Sequence, residues 1–197
     1  YWFDIEFELV AEFGGTWTDD DAHSLVGFDL LDSAHELRTR GGVQLEPVDV
    51  VERLLDGVIS RVADRLPWRP GAPELLAECV AADVPCVLVT MSWRRLADAV
   101  IAAAPPGSFV TSVTGDEVSN GKPDPEPYLA AAEAVGVDPA ACVAIEDSPT
   151  GVAAALAAGC ATLGVPHVVP VAAAPGLTLV DSLVGVGLAD LRGLHSG

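Results

Sequence analysis

Three short stretches place reactive side chains where an apolar run stops. Leu88-Val89-Thr90-Met91-Ser92 ends in hydroxyls and backbone N–H groups just ahead of a helical pattern, which makes a ready anion site. In Gly121-Lys122-Pro123-Asp124-Pro125 a lysine stands in a loop that Pro123 stiffens and biases toward extended backbone. A lysine held in this way can neutralise a phosphoryl group or a cluster of carboxylates. Ile145-Glu146-Asp147-Ser148-Pro149-Thr150-Gly151 sets two adjacent carboxylates at the end of an apolar run. Such a pair suits Mg²⁺, which takes one or two protein carboxylates together with waters and phosphate oxygens. Each stretch also has a plainer reading: Ser92 as a helix N-cap, Lys122 as a solvated surface residue, and Asp147 or Ser148 as caps of the following helix.

The elements that would carry these residues follow from periodicity. After Pro67-Trp68-Arg69-Pro70-Gly71, a helix over 73–82 precedes Val84–Thr90, a β-branched run that reads as a fully buried strand. A helix over 94–103, an extended piece over 109–113 and a helix over 125–135 come next. Strands are expected at 142–145 and 161–165 with a helix over 151–158 between them. Alternating strands and helices imply an α/β fold with a doubly wound, parallel, Rossmann-like sheet, and such sheets set their sites at the carboxyl ends of the strands. Residues 1–66 read as helices only. Trp2, Phe3, Phe7 and Val10 recur at helical spacing, and Thr18 followed by Asp19, Asp20 and Asp21 reads as an N-cap with an acidic first turn. Helices are also expected over 30–38 and 48–65. The expected division is a small all-helical domain over 1–66 and an α/β domain over 67–197. Residues 167–186 read as loop with one short strand near Leu177–Val180.

Ten Lys and Arg against 29 Asp and Glu give a net charge of −19, which argues against a nucleic-acid partner. An anionic ligand must therefore find its cations locally. No apolar run approaches the roughly 20 residues that span a bilayer, and no signal peptide is read at the start. The four cysteines (Cys79, Cys86, Cys142, Cys160) form no C-x-x-C pair. They read as structural thiols of a reducing compartment, so a cytoplasmic location is expected.

Hydroxyl, then Lys-Pro, then Glu-Asp, on successive strand ends, resembles the haloacid dehalogenase superfamily, in the helical-cap branch that includes β-phosphoglucomutase and phosphoglycolate phosphatase. The resemblance covers most of residues 1–166 and implies a role for each position. Thr90 and the N–H groups of Met91 and Ser92 would hold the transferring phosphoryl group, with Arg94 adding a phosphate or substrate contact. Lys122 would neutralise charge, and Lys122→Ala is expected to lower turnover with the fold intact. Asp147 with Glu146 would bind Mg²⁺. The helices of 1–66 would form the cap, with Gly27 in its substrate-reading loop. The implied activity is hydrolysis of a small phosphorylated metabolite through an aspartyl phosphate.

That chemistry depends on an Asp-x-Asp-Gly motif ending a central strand, whose first Asp attacks phosphorus and whose second acts as acid and base. Glu12-Phe13-Gly14-Gly15-Thr16 and Phe28-Asp29-Leu30-Leu31-Asp32-Ser33 mimic it only in outline. The expectation is that the strand precedes Tyr1. A chain without it is expected to be an inactive phosphate-binding protein. The alternative activity is a phosphomutase of the β-phosphoglucomutase type, which carries a cap cation for a second phosphate. Here Gly27 is followed by Phe28, Asp29, Leu30 and Leu31, and Arg53 is the cation left to serve.

Overall fold

The computed structural model describes residues 1–196. Four helices come first: α1 (Trp2–Glu12), α2 (Asp19–Ser24), α3 (Leu30–Thr39) and α4 (Pro47–Asp64). Thr18 caps α2 through a reciprocal box with Asp21, so the acidic first turn sits where the helix dipole favours it. Helix α4 buries Val51, Leu55, Val58 and Val62, spaced by three and four residues, on one face. That face meets Ile5, Leu9 and Val10 of α1 and Leu37 of α3 in one apolar cluster. The buried stripe of α1 runs through Ile5, Leu9 and Val10, leaving Trp2, Phe3 and Phe7 partly covered at its edge.

The second half alternates as expected: α5 (Ala72–Ala81), β1 (Val87–Val89), α6 (Arg94–Ala103), β2 (Thr111–Val113), α7 (Glu126–Val135), β3 (Val143–Glu146), α8 (Pro149–Ala157), β4 (Ala161–Gly164), β5 (Leu177–Leu179) and α9 (Leu188–Gly193). Helix α5 starts at Gly71, where φ is +88° and a Cβ would lie 2.2 Å from the Leu183 carbonyl carbon, so only glycine fits the turn. Helix α6 leans on the helical layer, with Leu96 joining the cluster of α1–α4. Among the described residues no helix is long and apolar enough to cross a membrane.

All strand pairings are parallel, but the sheet is in two pieces. Strand β1 pairs with β2, and β3 with β4 and then β5. A single continuous sheet is therefore not formed among the described residues. Val89 of β1 packs on the cluster that holds Ala144 of β3, and Cys86 and Val143 pack together on another. The two strands are thus neighbours in space, yet each leaves one edge without a ladder. This also corrects the reading of β1 as fully buried. Val87, Leu88 and Val89 are only half-buried, and Ile145 of β3 is 39% exposed, because among the described residues no strand lies against those edges to cover them. Helix α9 is an addition: Asp190 accepts from the Gly187 N–H at 2.9 Å, and Leu188 and Leu191 are buried.

Candidate active site

The strand ends converge on one buried ion pair. Lys122 and Glu146 bond directly, with side chains 9% and 6% exposed. The Lys122 Nζ also donates to the carbonyl oxygen of Val89 at 3.2 Å, so one ammonium bridges the end of β1 and the end of β3. A carboxylate this deep needs nearly every lone pair satisfied. Tyr128 of α7 donates its hydroxyl to the same Glu146 oxygen, and its ring lies 5.0 Å from the Lys122 Nζ. The other oxygen accepts from the Ser148 hydroxyl at 3.3 Å and the Asp147 N–H at 3.2 Å. Burial first, and then the Glu146 charge, pushes the Tyr128 hydroxyl far above its ordinary value, which keeps it a proton donor.

The first turn of α8 is built around this carboxylate. Ser148 caps the helix by accepting from the Gly151 N–H at 3.1 Å. A Cβ on Gly151 would stand 2.0 Å from a Glu146 oxygen, so glycine lets the carboxylate nest against the helix start. The plainer reading of Ser148 as a cap therefore holds.

Asp147 stands next to this cluster, and as a whole residue it is exposed. Crowding around the carboxyl raises its proton affinity, the Glu146 charge adds to that, and Lys122 and Arg69 oppose it. Arg69 lies in the link before α5, with one guanidinium nitrogen 3.4 Å from the Pro166 carbonyl and another buried without a partner. Among the described residues no group of three His, Cys, Asp or Glu could hold a metal ion. The donor set fits Mg²⁺ only in its sparse form, with Asp147 as protein ligand and other oxygens completing the shell. Glu146, expected as a second metal carboxylate, has both oxygens occupied by Lys122, Tyr128 and the α8 turn.

Thr90 directly follows β1, and its hydroxyl accepts the Ser92 N–H at 3.1 Å in a tight turn. Ser92 does not cap α6. Trp93 holds that position, and Asp116 accepts the Arg94 N–H at 3.0 Å instead. Met91 meets the Lys122 loop through its sulfur, 3.1 Å from the Lys122 nitrogen. Arg94 departs from expectation. Its guanidinium is bound to Glu117 and Ser112, with Asp98 at 3.6 Å, and the Glu117 partnership raises its affinity for its proton. A phosphate contact from Arg94 would have to compete with these two carboxylates. Gly27, at φ +86°, brings the helical layer onto α8, where its Cβ would lie 2.6 Å from the Thr150 hydroxyl. Tyr128, Arg69 and Thr150 were not singled out from sequence. Tyr128 carries the one available signal, since it follows Lys122 by six residues on a helix opened by Pro125.

A family model for haloacid dehalogenase-like hydrolases matches residues 6–159. The chain belongs to that family, and its parallel strands and all-helical cap are consistent with the family fold. It is 43% identical over 94 residues to protein CbbY of Rhodobacter capsulatus, a match covering 46% of this chain and 41% of that protein. It is 41% identical over 99 residues to hexitol phosphatase A of Escherichia coli K12, covering 49% of this chain and 44% of that one. The matches thus span less than half the length of these relatives. Among solved structures, CbbY of Rhodobacter sphaeroides in complex with phosphate superposes with a TM-score of 0.86 at 25% identity, over 97% of this chain and 91% of that chain.

Proposed function

We propose that the chain forms the cap (residues 1–66) and most of the core (67–197) of a phosphohydrolase that acts on small phosphomonoesters. The observation that carries this reading is the Lys122 ammonium, held between the ends of β1 and β3. A fixed cation at that point stabilises charge developing on a phosphoryl group, and phosphoryl transfer is chiefly positioning plus electrostatics. Thr90 and the N–H groups that follow it supply donors beside it. Asp147 is the residue that would hold Mg²⁺, which when bound neutralises phosphate charge. The phosphatase and phosphate-bound relatives support the class of substrate.

The carboxylate nucleophile belongs, on this reading, to a further parallel strand lying between β1 and β3 and preceding Tyr1. The unladdered edges of those two strands support it. Five or six apolar residues there would each contribute about 1.5–3 kcal/mol through burial. Hydrolysis is preferred to phosphomutase action because Arg53, the cap cation considered for a second phosphate, bonds Glu12 at 2.5 Å. The four thiols are all free, which fits a cytoplasmic setting.

The test is a screen of small phosphomonoesters, with and without Mg²⁺, on the protein carrying its preceding residues. Magnesium-dependent release of inorganic phosphate is expected. A folded protein that releases none from any ester would refute the reading, and efficient glucose-phosphate interconversion would move it to the mutase class.

A further inference from the structure

Met91 is the one methionine among the 197 residues, and it sits half-buried directly after Thr90. Its sulfur accepts the Lys122 N–H at 3.1 Å. On the same loop, a Cβ on Gly121 would come within 2.9 Å of that sulfur. On the opposite side, a Cβ on Gly115 would meet the Met91 carbonyl oxygen at 2.2 Å. Met91 is therefore clamped between two glycine turns, with its thioether aimed at the lysine backbone. Lys122 is tied at its other end too, through Nζ to the Val89 carbonyl. Both ends of the lysine thus rest on the stretch Val89–Met91.

We infer that Met91 is a positioning residue for Lys122: its sulfur fixes the loop so that the ammonium stands between the ends of β1 and β3. The contact does not depend on the phosphohydrolase reading, but its consequence for turnover rests on it. A thioether is a weak acceptor on an unbranched chain that fits irregular gaps. Leucine fills a similar volume but accepts nothing, and would leave the Lys122 N–H half-buried without a partner. Glutamine has comparable reach and restores an acceptor at the cost of a polar amide. The two substitutions therefore separate hydrogen bonding from packing.

The experiment compares Met91→Leu and Met91→Gln with the parent protein by amide hydrogen exchange, residue by residue, and by steady-state phosphate release. In Met91→Leu, exchange at the Lys122 amide should rise about five-fold, the factor for one modest hydrogen bond. The amides of Val165 and Val152, bonded to Glu146 and Ser148 carbonyls, should be unchanged and report an intact fold. Met91→Gln should bring Lys122 exchange back toward the parent value. Turnover in Met91→Leu should fall in kcat with KM little altered. Parent-like exchange at Lys122 in Met91→Leu would overturn the proposal. So would full retention by leucine with loss in glutamine, the mark of packing alone. If the parent releases no phosphate, the phosphohydrolase reading fails while the exchange comparison still decides the role of Met91.

Discussion

Gly27 of the helical layer lies against Thr150 in the first turn of α8, so close that a methyl group on Gly27 would come within 2.6 Å of the Thr150 hydroxyl. This is where the cap touches the turn that follows Glu146 and Asp147. Gly27 also has φ +86°, which any other residue adopts only under strain. Gly27→Val is expected to hold the cap off α8. Since small misplacements in a closed site can cost about a hundredfold, kcat/KM should fall by roughly that factor, with core stability reduced by only about 1 kcal/mol. Steady-state kinetics beside urea unfolding would check it, and unchanged kcat/KM would mean that the Gly27–Thr150 contact does not position the site.

Lys122→Ala was expected from sequence to leave the fold intact. The structure revises that, because the change would strand the Glu146 carboxylate, 6% exposed, without its cation. Breaking one side of a buried pair costs about 3–5 kcal/mol, so the variant should be markedly less stable in urea. Lys122→Ala combined with Glu146→Gln should regain much of that loss, because the orphan charge is gone. Equal stability of the single and double variants would contradict the pairing.

Tyr128→Phe removes one donor to Glu146 and leaves the ring in place. A hydrogen bond to a charged group is worth about 1.5–3 kcal/mol, and a loss in that range is expected by chemical denaturation. A loss within error would mean that Ser148 and Lys122 satisfy the carboxylate alone.

The cap holds its own buried acid. Glu6 is 5% exposed and accepts from the Trp17 indole N–H at 3.1 Å. Burial raises its carboxyl above the ordinary 4.5, and the Trp17 bond only partly offsets this. The folded state therefore binds this proton more tightly than the unfolded chain does. Its stabilising contribution is fully present below pH 4.5 and is lost as pH rises through the elevated folded value. Glu6→Gln, which keeps an acceptor for Trp17, should match the parent in acid and exceed it in melting temperature at neutral pH. Melting curves across pH that run parallel for both proteins would contradict this.

Much of the fold was legible because strong periodicity and punctuation coincide. Thr18 with Asp21, the apolar face of α4, and Pro125 ahead of α7 each state a boundary in local chemistry. Helix α9 was not legible. It is six residues long, and Gly187 offers no side chain to announce a cap. In the site, the order Thr90, Lys122, Glu146 could be read, but not the division of labour between the two carboxylates. Which one turns inward depends on β3 alternation and on the space that Gly151 leaves, and both are three-dimensional facts. The partners of Arg94 were not legible for a similar reason. Its partners Ser112 and Glu117 lie 18 and 23 residues away and meet it only through strand pairing.

The bare edges of β1 and β3 carry a liability that has nothing to do with chemistry on phosphate. A strand edge without a ladder partner accepts any extended chain that arrives, whichever molecule offers it, and here Lys122 covers only the Val89 carbonyl at the end of β1. Left open, these edges invite copies of this protein to zip together as concentration rises. A strand that paired with both edges would therefore guard solubility as well as complete the sheet.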